Sequence, residues 1–415
     1  GNSEFSYLVL EMGMGDENMR FALPAGSSIE MPEIIMHLIP EGIIENGAPI
    51  LNKYIMKNTL SASRFPAPMV FNTWIDDFDN LQVERLRKHI KAAKKIGCEV
   101  FVVDAGWFGE GDNWWEDVGD WREKKDGAFY GKVGEFADEV RAAGLGFGIW
   151  MEPERIAPKT PVFKAHPDWF APGNKGFYYP KLYRPEVYSY ILSEICRVID
   201  TYNVVWLKID FNFEFAIDPE GKEFYSYYEC WYRLLDELRN KYSNVFFEGC
   251  SSGGMRTDIN TMSHFDAHFL TDTVNPFYVL RISQGAMLRL PPGRLTKWLT
   301  IRQYQRTRLY ENEVKLKSSS IITSKYCSWD DIINVDIDFG ARVMMSSLMG
   351  LTGDISNIPE ETLDRLAFHI AFFKKWRMFI AESIGYLLTP VEERDNEHGW
   401  VGIQLQSQSD TTSLL

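Results

Sequence analysis

Six short apolar runs organise the middle of the chain. They occupy residues 69–74, 100–104, 145–150, 204–210, 245–248 and 267–272, and each ends in polar or aromatic residues. Runs this short, rich in β-branched and aromatic residues, read as buried strands. Helical periodicity fills the gaps. Residues 81–96 place Leu86, Ile90 and Ala93 on one side, with Gly97 following as a C-terminal cap. Residues 185–200 place Val187, Ile191, Ile195 and Ile199 at i, i+4 spacing behind Pro185 in the first turn. Strands alternating with helices mean parallel β/α units. Weaker units near 285–300 and 343–350 bring the count to eight and predict an α/β fold, a (β/α)8 barrel. A doubly wound sheet competes, but no Gly-rich phosphate turn follows any strand.

The two ends have a different pattern. Residues 1–38 alternate between Gly and Pro turns and read as β-strands, the end of an N-terminal β-domain. They are too few to close a sheet alone. Residues 39–67 form a linker with one helix around 50–57, and residues 68–377 hold the barrel. Residues 378–415 return to strand-like alternation (ESIGYLLTP, HGWVGIQLQ), as the start of a C-terminal β-domain.

Composition narrows the partners. The chain has 415 residues, 45% hydrophobic, enough for one large core plus smaller parts. A formal charge of −14 argues against a nucleic-acid partner. No run of about 18 apolar residues predicts a membrane span. The start GNSEFSYLVLEMG does not read as a signal peptide. The five cysteines are odd in number, far apart and without CxxC spacing. They indicate neither a disulfide framework nor a zinc site, and they fit a reducing, cytoplasmic compartment.

The stretch VVWLKIDFNFEF, residues 204–215, carries the chemistry. Its apolar run stops at Lys208, Asp210 and Asn212, which share one parity and therefore one face of a strand. A buried face carries a lysine and an aspartate when they form a structural pair or take part in a reaction. Barrel enzymes place their active residues at the C-terminal strand ends. Those ends here carry Trp74, Asp76 and Asp77; Asp104 and Trp107; Trp150 and Glu152; Lys208, Asp210 and Asn212; Glu248 and Cys250; and Asp272. His264 and His268 do not fall into a metal-like pattern, so the residues imply no metal and no cofactor. Carboxylates, indoles and one lysine are the equipment of a glycoside hydrolase.

The motifs FNTWIDDF, VVDAGWFG, GIWMEPE, LYRPEV, WLKIDFN, EGCSSGG and FLTD stand in the order and approximate spacing of glycoside hydrolase family 36. From about residue 20 to about 375 the chain resembles these bacterial α-galactosidases of the melibiase type. The resemblance implies an N-terminal β-supersandwich, a (β/α)8 barrel and a C-terminal β-sandwich. It also implies a retaining α-galactosidase that acts on terminal α-galactosyl residues of an oligosaccharide or glycoconjugate through a covalent glycosyl-aspartate. Homo-oligomers, tetramers or dimers, are expected.

Carried over motif by motif, Asp210 matches the nucleophile and Asp272 the general acid/base. Lys208 matches the lysine that helps hold the sugar and keeps the aspartate ionised, and Arg184 an arginine near the nucleophile. For Arg184 the alternative is a surface arginine before a helix. Trp150 matches the third-strand tryptophan, and Cys250, Ser251 and Gly253 the loop beneath the sugar's second carbon. Asp104, Trp107 and Asn212 are expected among the substrate contacts. Trp74 and Asp76 are candidates for the pocket lining, with core packing the alternative for Trp74.

One departure bears on specificity. The family pattern Asp-Asp-Gly-Trp reads Asp104-Ala105-Gly106-Trp107 here, so one of two carboxylates that grip the 4- and 6-hydroxyls is missing. Asp76, Asp77 and Asp112 are available to replace it. TVNPFYV after the sixth strand and LPPGRLTKW also depart from the pattern. The alternatives these changes raise are an α-N-acetylgalactosaminidase, an α-galactosaminidase and a family transglycosylase. A non-catalytic carbohydrate-binding barrel is more remote.

Overall fold

Eight short strands close into a ring in chain order. They are β1 (Val70–Asn72), β2 (Val100–Val103), β3 (Gly146–Met151), β4 (Trp206–Ile209), β5 (Phe246–Gly249), β6 (Ala267–Phe269), β7 (Leu295–Ile301) and β8 (Leu348–Gly353). Every neighbouring pair is parallel, and β8 pairs back onto β1. This computed structural model describes residues 10, 12–13, 20–39, 41–60, 64–111, 113–215, 218, 221, 223–302, 319–325, 332–393, 396 and 398–415.

A helix follows each strand: α1 (Val83–Ile96), α2 (Val133–Ala142), α3 (Pro185–Tyr202), α4 (Glu223–Lys241), α5 (Ile259–Ser263), α6 (Pro276–Met287), α7 (Ile337–Met345) and α8 (Glu360–Glu382). The local signals act as expected. Gly97 ends α1 with φ +96°, and Pro185 opens α3. The buried stripe of α1, Leu86, Ile90 and Ala93, joins the main core together with Phe71, Phe101, Phe147, Leu207 and Phe247. A second layer fills the ring's interior: Val70, Val100, Val102, Trp206, Phe246 and Leu348. Trp206 and Phe246 stack there at 4.1 Å. This division follows the two-residue period of a strand. Leu207 and Ile209 join the main core, Trp206 the interior layer, and Lys208, two residues past Trp206, lies above it at the mouth.

Smaller elements surround the barrel. The helix Ala48–Asn58 packs through Ile55 against Met262 and Leu290. Strands Ile384–Leu387, Ile403–Gln406 and Ser413–Leu414 form an antiparallel sheet after α8. A hairpin, Ser320–Ser324 with Ile332–Asp336, lies between β7 and α7. The strands expected over residues 1–38 are not present among the residues described there. Residues 1–9, 11 and 14–19 of that stretch lie outside the described residues. Leu23, Met31, Met36 and Leu38 are exposed. A lone alternating segment without a partner strand has no ladder to join, so its pattern alone does not make a sheet. Among the described residues, no helix is long and apolar enough to cross a membrane.

Candidate active site

The C-terminal ends of β2 to β6 converge on one mouth. Asp210 follows β4, and its backbone N–H donates to the Met151 carbonyl at 2.9 Å. Its carboxylate is buried. Oδ2 accepts the Trp150 indole N–H at 3.1 Å, and Oδ1 accepts the Phe211 N–H at 2.8 Å. Burial alone would push this carboxyl up. The Lys208 ammonium, with donors on Asn212, Trp150 and Cys250, outweighs burial and holds it below the usual aspartate range.

Lys208 is held as tightly. Its Nζ donates to Asp104 Oδ2 at 3.1 Å and lies 4.3 Å from the Trp298 ring centre and 5.3 Å from that of Phe269. Burial disfavours the ammonium, but Asp104 and the other nearby anions keep it protonated. Asp104 Oδ2 also accepts from Asn72 Nδ2 at 2.7 Å, and Asn72 Oδ1 accepts the Trp74 N–H at 2.8 Å. One amide therefore ties the end of β1 to the carboxylate of β2.

Asp272 follows β6. Burial first, then the negative charge of Asp210, push its carboxyl up to about 6. Solvent reaches this side chain in the open mouth and damps the shift; a bound ligand would remove that water. The loop after β5 supports it from below. Gly253 has φ +80°, and a Cβ there would lie 2.7 Å from the Asp272 backbone nitrogen. Only glycine admits this approach. Ser251 Oγ donates to the Phe211 carbonyl at 3.0 Å, and Ser252 Oγ to Asn212 Oδ1 at 3.1 Å, so this loop also braces the segment after Asp210. Cys250 is buried beside Asp210, and burial raises its thiol well above the usual range.

Several expected residues thus come together: Asp104, Trp150, Lys208, Asp210, Asn212, Cys250, Ser251, Gly253 and Asp272. Trp74 joins their aromatic wall, since Trp114 meets Trp74 edge-on at 5.6 Å and Trp150 at 5.3 Å. Three expected residues do not converge. Trp107 is fully buried behind Trp150, donates to its carbonyl at 3.0 Å and packs against Tyr202 of α3. Its position just past the strand end turns it toward the helix layer. Asp76 is engaged by His89 at 2.7 Å and by Arg85. Arg184 sits at the surface, paired with Asp168 at 2.9 Å and with Glu186 at 2.8 Å.

Other residues of the mouth had weaker signals. Glu152 is fully buried, takes two bonds from Arg155 at 2.9 and 2.7 Å, and accepts the Asn212 N–H at 2.6 Å. Burial, together with Asp210, pushes it up to about 7 against the pull of Arg155. Glu248, below Lys208, accepts from Trp206 Nε1 at 3.1 Å and from Thr296, and burial raises it to about 7. Glu152 shares parity with Trp150 at the end of β3, and that parity was the available signal. Asn72 and Trp298 had no comparable signal, because their partners lie far away along the sequence. Among the described residues, one group has metal-ligand geometry: Asp76, His89 and Asp354. Arg85 bonds both carboxylates, so a guanidinium already supplies the positive charge.

Acid–base chemistry on a sugar requires carboxylates in opposite protonation states beside an apolar platform. Asp210, held below the usual aspartate range, and Asp272, raised to about 6, stand beside the Trp150–Trp114 wall, an arrangement of the kind found in (β/α)8 barrels of glycosidase type. Residues 28–315, more than half of the chain, match the melibiase family, and the chain belongs to that family.

Its relatives agree. It is 28% identical over 316 residues to alpha-galactosidase Mel36A of Lactobacillus acidophilus, covering 72% of this chain and 43% of that protein. It is 25% identical over 417 residues to alpha-galactosidase AgaA of Geobacillus stearothermophilus, covering 96% of this chain and 53% of that one. The chain spans about half the length of the curated relatives it matches. Among solved structures, a variant of AgaA in complex with stachyose superposes with a TM-score of 0.76 at 21% identity, covering 93% of this chain and 52% of that one. The galactosidase domain of AgaSK gives a TM-score of 0.74 at 20% identity, covering 87% and 47%.

Proposed function

We propose that the chain carries the catalytic barrel of a retaining α-galactosidase acting on terminal α-galactosyl groups of oligosaccharides. The observation that supports this most is the meeting at one mouth of two carboxyls of different acidity, Asp210 held below the usual aspartate range beside Lys208 and Asp272 raised to about 6. In the first step an Asp210 oxygen forms a bond to the anomeric carbon as the bond to the leaving oxygen breaks. Asp272 gives its proton to that oxygen. In the second step Asp272, now ionised, takes a proton from water. The water oxygen bonds to the anomeric carbon, and the ester to Asp210 breaks. Lys208 and Asp104 face the sugar hydroxyls, Trp150 flanks the ring, and Cys250, Ser251 and Gly253 lie beneath the second carbon. The ligands named in relatives' complexes, raffinose and stachyose, support an oligosaccharide. Assembly into a homo-oligomer is part of the same reading. A panel of nitrophenyl α-glycosides tests it: α-galactoside turnover is expected, and its absence from the whole panel would refute the assignment.

A second reading concerns specificity. Ala105 is buried beside Asp104 and offers only a methyl group. Asp76 is already engaged by Arg85 and His89 and does not replace the missing carboxylate. Asp112 lies outside the described residues, as does the side chain of Asp77. On this reading the preferred sugar carries an amine or N-acetyl group at the second carbon. Ala105→Asp should then raise kcat/KM for an α-galactoside relative to the native substrate by up to about tenfold, equal to ~1.4 kcal/mol. An unchanged ratio, or a wild type whose best substrate is the plain α-galactoside, would leave the first reading in place.

A further inference from the structure

A cavity of about 760 Å³ opens beside the barrel mouth rather than within it. One wall is the segment from Asp79 into α1, and the other is the loop 124–132 that leads into α2. Gly106, two residues past Asp104, forms part of the inner wall. Gly106 packs closely on the opposite wall: a Cβ there would lie 2.8 Å from the Asp79 carbonyl oxygen. The Asp79 carboxylate in turn accepts the Trp114 N–H at 3.3 Å. None of Asp210, Lys208 or Asp272 lines this space.

The lining indicates what it would take. Its size falls within the range of small-molecule sites, about 300–1,000 Å³. Tyr130 stands at its rim, 77% exposed. Its φ is +49°, a left-handed conformation that a bulky residue adopts at a cost of order 1 kcal/mol. Gly127 and Gly131 lie three residues before and one after, yet the strained position carries a tyrosine whose ring points into water. Around it stand groups of both hydrogen-bonding senses. Lys124, whose stem crosses Gly127, can donate, and Asp126 and Asp79 can accept.

Charge argues against an anion or a metal ion as the ligand. Five acidic and three basic residues line the cavity, but Arg87 pairs with Glu84 and Glu139, and Lys132 with Glu135. That leaves Asp79 and Asp126 against Lys124, with no positive field for an anion. The lining carboxylates form no metal-capable cluster among the described residues either. An exposed aromatic face ringed by mixed donors and acceptors suits a neutral polyhydroxyl compound, whose C–H face is apolar and whose rim is polar.

We propose that this cleft is a second carbohydrate-binding site, separate from the catalytic mouth, which takes a neutral oligosaccharide against Tyr130. The test is calorimetric titration of stachyose into the protein saturated with 1-deoxygalactonojirimycin, a ligand seen in one relative's structure. One stachyose should still bind. Tyr130→Gly should weaken that binding at least tenfold while leaving nitrophenyl α-galactoside turnover and the unfolding temperature unchanged or the latter raised, because glycine relieves the strain. Asp126→Ala should weaken it as well. No binding under inhibitor, or binding that neither substitution alters, would overturn the proposal. Binding of the inhibitor is read first. Its failure would count against the catalytic reading alone, since the effect of Tyr130→Gly on stachyose binding remains measurable without it.

Discussion

Removing the Asn72 side chain should disable Asp104 without touching either central carboxylate. Asn72 is buried at the end of β1 and makes two bonds: Nδ2 to Asp104 Oδ2 at 2.7 Å, and Oδ1 from the Trp74 N–H at 2.8 Å. The first is a bond to a charged group, worth about 1.5–3 kcal/mol, and the second is neutral, worth about 0.5–1.5 kcal/mol. Asn72→Ala should therefore lower stability by roughly 2–4.5 kcal/mol. Asp104 would then keep Lys208 as its one side-chain donor, with the Ala105 N–H on Oδ1, and be held less firmly. If all of the charged bond is expressed in the transition state, kcat/KM falls by about 10- to 150-fold. Asn72→Asp keeps the shape but sets an acceptor against an acceptor, so it should be worse than alanine on both counts. The assays are kcat/KM on a nitrophenyl α-galactoside and denaturant melts of all three proteins. A kcat/KM within twofold of wild type in Asn72→Ala, or an aspartate variant as active as the alanine one, would refute the idea that this amide positions Asp104.

Asp210→Gly should abolish turnover, and azide should restore part of it as a β-glycosyl azide; a variant with wild-type kcat would remove Asp210 from the nucleophile role. Asp272 must hold a proton to give one, so kcat/KM should be level below about pH 6 and fall tenfold per unit above it, following its raised carboxyl. Asp272→Asn should erase that limb and slow substrates with poor leaving groups far more than activated aryl glycosides. Lys297 is buried on β7 among Ser283, Ser346 and the Val343 carbonyl, and burial lowers it to about 7. Unfolded, it titrates near ~10.4, so between these values the unfolded chain binds the extra proton and stability rises with pH. Lys297→Met should flatten that rise in denaturant melts at pH 7 and 9.

What could be read from the chain was what its local periods encode. The strand 204–210 showed its inward face because Trp206, Lys208 and Asp210 alternate with Leu207 and Ile209. The caps of α1 and α3 lay within one turn of sequence. Pairings between strand ends were not legible. Asn72 meets Asp104 from 32 residues away. Asp76 reads in the sequence as an ordinary strand-end carboxylate, and only the fold shows that it lies in the short helix Trp74–Asp77, engaged by His89 and Arg85. Trp107 had the right spacing for the mouth, but beyond a strand end the two-residue alternation no longer says which way a side chain turns. Residues 1–38 had the right alternation, but those of them that are described have no partner strand, which sequence cannot supply.

The bond from the Trp150 indole to Asp210 also gives the site an optical handle. An indole's emission responds to charge beside its N–H, and Trp150 donates that hydrogen to the very carboxylate expected to become an ester. Loss of the negative charge on forming the glycosyl intermediate would alter the emission of this one tryptophan. Trp114, in edge contact with it, and Trp74 beyond can pass their excitation toward it. A slowly released substrate in a stopped-flow fluorimeter would then show the covalent step as a burst in the protein's own light, with no label attached.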